Sequence, residues 1–249
     1  MKAAAGGFRS TAALVRKELY SYAISPVFYG VGVFFLLFVN IRLFYFQRFF
    51  ARDMASLREW FAAFPLAFII VIPAITMRCW AEERRLGTME LLLTMPFSEW
   101  NLALGKFIAA FVVLLVFLLF TVPLPLSLLA LGDFDGGIIL GEYAGVTLLG
   151  ASATALGLFF SSFSRNQAGA FLGSAVALLV VTLIDRVNQI LNLPRALAEA
   201  LNFLSLNFHF ESFFRGILDS RDLAFFILST LLFLFLTTKV LLFRKWSRG

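Results

Sequence analysis

The chain has 249 residues, 61% of them hydrophobic and only 14% charged, where ordinary soluble domains carry roughly 25% charged residues. With a mean hydropathy of +0.90, this is the composition of an integral membrane protein, with little room for a soluble domain. The net charge of +6 would suggest nucleic acid in a soluble protein; here no nucleic-acid partner is expected, and what matters is how the cations divide between the two membrane faces.

The opening "MKAAAGGFRS" has no apolar core of its own, so the first span is expected to be retained as an anchor rather than cleaved. Within segment 1–25, Phe8, Ala12, Val15, Leu19 and Tyr22 recur at intervals of four, three, four and three, while Arg9, Arg16 and Lys17 fall off that stripe. This pattern predicts a basic amphipathic helix lying among the lipid headgroups. Ser25 is expected to cap the first span and Pro26 to open it.

Six stretches are long and apolar enough to cross a bilayer as helices: 26–46, 60–78, 102–131, 138–160, 168–185 and 222–243. They are too long and too uniformly apolar for barrel strands. Pro123 and Pro125 should kink the third near its far end. Spans four and five are rich in small residues, among them Gly145, Gly150, Gly157, Gly169 and Gly173, and are expected to pair tightly with each other. Segment 186–221 alternates apolar pieces with polar breaks. Its stripe Leu197, Leu201 and Leu204 is too short to span, so it predicts outer-leaflet or re-entrant helices. The expected fold is therefore an all-α integral membrane domain covering residues 1–249.

An even number of spans puts both ends on one side. Thirteen of the 21 Lys and Arg residues fall on that side, which predicts cytoplasmic termini and a cytoplasmic segment 78–100. Arg42, Arg48, Arg52 and Arg58, interleaved with aromatic residues on the other side, are read as snorkelling to headgroups and pairing with Asp53 and Glu59. Glu142 and His209 are read as interfacial groups. Asp219, Arg221 and Asp222 precede the last span and are the candidates for an outer gate.

Segment 78–100, "RCWAEERRLGTMELLLTMPFSEW", carries four adjacent charges, Glu82, Glu83, Arg84 and Arg85, between two apolar spans. Gly87 is a natural helix stop. Thr88 is placed to cap a short helix "MELLLTM" that ends before Pro96, and Ser98 to cap the helix of span three. The short helix presents Glu90, Leu91, Leu92 and Met95, with Thr94 near its end. On the residues alone it is either a docking element for a soluble partner or a connector resting on headgroups. A mere connector needs only 2–8 residues, which argues for some further role.

"RCWAEERRLGTMELLLTMPFSEWNLALGKF" resembles the cytoplasmic segment of ABC-2 type transporter permeases, especially the gliding-motility-associated permease subunits. "GLFFSSFSRNQAGAF" (157–171) and "FRGILDSRDLAFFILSTLLFLFLTTKVLLFRKW" (214–246) are similar to the turn between spans four and five and to the final span of the same family. The resemblance implies a six-span half-transporter in a bacterial cytoplasmic membrane. It would pair with a second copy or a related permease, bind cytoplasmic ABC ATPase subunits that hold the ATP and magnesium, and contact membrane lipids and an accessory extracytoplasmic subunit. It also implies that "GTMELLLTMP" is the coupling helix, with Glu82, Glu83, Arg84 and Arg85 beside it, and that spans two and five form the dimer interface.

Catalytic motifs are missing. A phosphate loop needs G-x-x-x-x-G-K-S/T, but Gly105-Lys106 is followed by Phe107 and no glycine stands five residues before Gly105. The E-E-x-x-x-R motif of an intramembrane metalloprotease would need arginine where Gly87 stands, and one histidine cannot hold a catalytic metal. The single Cys79 excludes an intrachain disulfide framework. No cofactor is expected in the chain. An ATPase-independent carrier would need ionisable groups deep in several spans, and a scaffold of a motility or secretion complex is the remaining alternative.

Overall fold

The computed structural model describes residues 2–46, 57–89, 98–129, 134–191, 194–213, 216 and 219–246. These residues are helical throughout, with no strand among them. Six helical stretches are long and apolar enough to cross a membrane: Pro26–Tyr45, Arg58–Arg85, Glu99–Leu129, Gly136–Phe163, Gln167–Arg186 and Ser220–Trp246. They match the six predicted spans, with most ends extended by a few residues.

The elements run in the order α1 (Lys2–Ala23), α2 (Pro26–Ile41, prolonged by a π-helical turn at Arg42–Phe46), α3 (Arg58–Phe61), α4 (Phe64–Thr76), α5 (Arg78–Arg85), α6 (Glu99–Leu119), α7 (Pro123–Leu129), α8 (Gly136–Phe163), α9 (Gln167–Leu191), α10 (Arg195–Leu204), α11 (Leu206–Glu211) and α12 (Ser220–Trp246). The second span is three helices in sequence. The third breaks after Leu119 and resumes at Pro123, where the proline pair predicts a kink.

Spans two and four form the middle of the bundle. In the most apolar stretch of span two 72% of residues are enclosed by the chain itself, against 17%, 22% and 28% in spans one, five and six. Span five keeps Leu172, Val176, Leu179 and Val180 exposed.

The glycines of span four serve close approach, Gly145 to Phe213 and Gly150 and Gly157 to spans two and three. A Cβ at Gly157 would stand 2.4 Å from Thr76 Oγ1, and one at Gly150 would stand 2.5 Å from Leu114. Span five meets this helix through Gly173 against Phe160. The expected pairing is therefore only part of the packing. In lipid, where tails are as apolar as leucine, such fit is the main force holding helices together.

Many of the phenylalanines are internal. Trp60 packs edge-on against Phe64 at 5.0 Å, Phe61 against Tyr143 at 5.0 Å, and Phe35 reaches both Phe64 and Phe68. Glu142, expected at an interface, is instead enclosed by the chain, and its Oε1 has no hydrogen-bond partner among the described residues.

Candidate functional site

The charged stretch continues span two as α5. Gly87 stops it with φ +71, a left-handed conformation that costs glycine nothing. Ser98 then caps α6, its hydroxyl accepting from the Asn101 N–H at 3.2 Å. Of the expected coupling residues, Arg85, Gly87 and Thr88 are exposed beside Leu86. Glu90, Leu91, Leu92, Thr94 and Pro96 lie outside the described residues, as do Arg48, Arg52 and Asp53.

Glu82, Glu83 and Arg84 turn inward. Glu83 is buried, and its Oε1 lies 2.9 Å from the ammonium of Lys106, a side chain only 1% exposed. Lys106 also donates to Glu18 Oε1 at 3.0 Å and sits 4.9 Å above the Trp80 ring. Lys17 approaches both carboxylates at 3.8 and 3.9 Å from a solvent-exposed position. Two acids and two bases therefore form a charge-neutral cluster. It joins α1, α5 and α6, elements far apart in the chain. Removing charged groups from water is costly, and only close opposite charges and good hydrogen bonds offset the cost.

Around this cluster the same end of the bundle is cross-linked repeatedly. Arg78 donates to Glu82 Oε2 at 2.8 Å and to the Ser25 hydroxyl, so Ser25 is a buried acceptor rather than the side-chain cap expected of it. The Tyr22 hydroxyl donates to the Ile75 carbonyl at 2.9 Å and lies 3.2 Å from Cys79 Sγ. Burial is the main reason its phenol is held well above the ordinary tyrosine range, so it stays a neutral donor.

Arg84 donates to the carbonyls of Ser162 at 2.6 Å and Phe163 at 3.1 Å, and Arg244 reaches Phe163 as well. These are the last carbonyls of α8, which have no partner within the helix and carry its negative dipole end. Lys245 of α12 donates to Glu99 of α6 at 2.7 Å. The ends of α1, α5, α6, α8 and α12 are thus tied together.

The helix α1 joins this end through a face that overlaps its apolar stripe but is turned toward Leu14 and Glu18. Leu14 and Tyr22 are buried and Glu18 nearly so, a run at i, i+4 and i+8, while Ala12 is exposed and Val15 and Leu19 are half-buried. The expected stripe omitted Leu14 and Glu18 because a glutamate does not count as apolar. The missing signal was Lys106, a lone cation just inside span three that a buried acid must answer.

At the opposite end the candidate gate residues separate. Asp219 Oδ1 accepts from the Arg221 N–H at 2.9 Å, and Arg221 is exposed. Asp222 is buried and meets His209 Nδ1 at 2.6 Å. His209 is only 3% exposed, so it is not the interfacial group expected, because α11 turns it onto the last span. No group of three or more potential metal ligands occurs among the described residues.

Six helices long and apolar enough to cross a membrane, with a charged segment between the second and third fastened to the bundle by ion pairs, make up a multi-pass membrane domain. Residues 20–243 match the family described as ABC-2 family transporter protein, and the chain belongs to that family. It is also 27% identical over 140 residues to the probable multidrug ABC transporter permease YbhR of Escherichia coli K12, and equally to that of Escherichia coli O157:H7. Those matches cover 55% of this chain and 38% of the relatives, so the chain spans well under half of their length in the aligned region. Members of the family are the membrane permease components of ABC transporters, distinct from the catalytic ATPase. Neither relative is described as a gliding-motility subunit, so that narrower resemblance rests on the quoted residues alone.

Proposed function

We propose that this chain is the membrane subunit of an exporter driven by a separate cytoplasmic ATPase, with residues 88–96 as the coupling helix. The observation that carries the reading is the buried Glu18–Lys106–Glu83 cluster at α5, the helix that leads into that segment in the chain. A segment that only connected two spans would need no such anchorage. A lever that receives force must be stiff where it meets the bundle.

In this mechanism two such subunits, or one and a related one, enclose a pathway in a bacterial cytoplasmic membrane, with both termini cytoplasmic. ATP binding closes the ATPases against residues 88–96. The motion passes through α5 to Lys106 and α6, through Arg84 to α8, and through Lys245 and Glu99 to α12. Glu90, Leu91 and Leu92 are the contacts offered to the ATPase. Export is favoured over import because no feature suggests a dock for a soluble binding protein. Against a carrier driven by ions, the Glu18 and Glu83 carboxylates of the buried cluster are committed to Lys106 in joining helices.

Purification from native membranes in mild detergent tests the class directly. A nucleotide-binding ATPase is expected to co-purify in stoichiometric amount, as identified by mass spectrometry. Recovery of the intact chain without any such subunit, under conditions that preserve other transporter complexes, would contradict the reading.

A further inference from the structure

We propose that His209 and Asp222 form a proton-held latch that fastens the short helices α10 and α11 to the last span, at the end of the bundle opposite the charged cluster. Both ring nitrogens of the buried His209 face oxygen. Nε2 lies 3.0 Å from the carbonyl oxygen of Phe203, and Nδ1 lies 2.6 Å from Asp222 Oδ1. A carbonyl only accepts, so Nε2 must carry a hydrogen. A neutral ring protonated there would turn a lone pair on Nδ1 toward the carboxylate, and two acceptors repel at that distance. The contact therefore needs a second proton between Nδ1 and Oδ1.

That proton belongs on the ring. Asp222 stands in the first turn of α12, where the helix N-terminus favours a carboxylate. The ring also stacks on Phe225 at 3.8 Å with planes 20° apart, and an aromatic face accepts a cation. One imidazolium thus joins α10 through the Phe203 carbonyl, α11 through its own backbone, and α12 through Asp222.

The neighbouring charged groups do not replace it. On α9, Asp185 accepts from Asn207 at 3.0 Å and lies 3.9 Å from Arg186. On α10, Arg195 pairs with Glu199. Asp219 accepts from the Arg221 backbone, and Glu142 on α8, Glu211 on α11 and the Arg221 side chain have no described contact with the ring. Without that proton, acceptor would face acceptor and the latch would open. The Asn207–Asp185 bond would remain, so α11 would swing on α9 rather than leave the bundle.

The chain contains one histidine, so ¹⁵N-histidine labelling of the full chain in detergent gives a single pair of ring signals. Both nitrogens are expected in the imidazolium range at about pH 7, with Asp222→Asn shifting the ring to a neutral tautomer. A neutral ring in the wild type at that pH would overturn the proposal. Should the variant not fold, the wild-type spectrum decides alone. Hydrogen exchange across residues 204–210 is expected to quicken in Asp222→Asn, which removes the carboxylate that holds the ring. Unchanged protection would overturn the latch even with an imidazolium present.

Discussion

Replacing Lys106 with Met is expected to destabilise the folded chain by about 3–5 kcal/mol, the range for breaking a buried ion pair from one side. The size follows from what remains. Glu18 and Glu83 would face each other around an apolar side chain, with only the distant and exposed Lys17 for compensation. Glu83 Oε2 is already buried without a hydrogen-bond partner among the described residues, so it has no alternative donor to turn to. Thermal unfolding in detergent, followed by fluorescence-detected size exclusion, reads the effect. The account also predicts rescue. Glu18→Gln and Glu83→Gln added to Lys106→Met remove the stranded charges and are expected to recover most of the loss. A triple variant no more stable than Lys106→Met would mean that the cluster matters for packing rather than charge.

Gly157→Leu is expected to cost at least as much, and to lower the yield of folded protein. Any Cβ at this position would fall 2.4 Å from Thr76 Oγ1 and 3.2 Å from Thr76 Cβ and Cγ2. Thr76 cannot give way easily: it is β-branched, wholly buried, and its hydroxyl donates to the Ile72 carbonyl at 2.9 Å. Overpacking by a single methyl typically costs about 1–3 kcal/mol, and leucine adds three more carbons. Gly30→Ala, where no other atom of the chain comes within 4 Å, is the control and is expected to be neutral within about 0.5 kcal/mol. Equal loss in both variants would contradict the packing described for spans two and four.

The six spans were legible because crossing a bilayer imposes length and apolarity on each segment separately. Gly87 as a stop and Ser98 as a cap were legible for the same reason: each is a property of one residue and its neighbours. What joins the spans was not. Lys106, Glu18 and Glu83 are far apart in the chain, and counting cations by side placed Lys106 among the surface charges. Ser25 has the residue type and position of a cap, yet Arg78 takes its hydroxyl. His209 was read as an interfacial group and Asp222 as part of an outer gate, because only tertiary contact turns one onto the other. The small residues of span four were recognised as packing surfaces, but composition could not say that the last span and span two supply its main neighbours. A folded helix shows its periodicity in sequence; its partner does not.

The buried cluster also changes how the charged segment is understood. Its four charges do not all await a soluble partner. Glu83 and Arg84 are spent inside the bundle, Glu82 is held by Arg78, and Arg85 alone of the four is exposed. The proposed division of labour is that the residues after Gly87 receive the motor and the residues before it transmit.

The most direct test of that division is ATP hydrolysis and transport by the reconstituted complex carrying Glu90, Leu91 and Leu92 all replaced by Ala. The account predicts that the permease folds normally while the ATPase either detaches or turns over without driving transport. Stoichiometric ATPase binding with unchanged transport in that variant would contradict it.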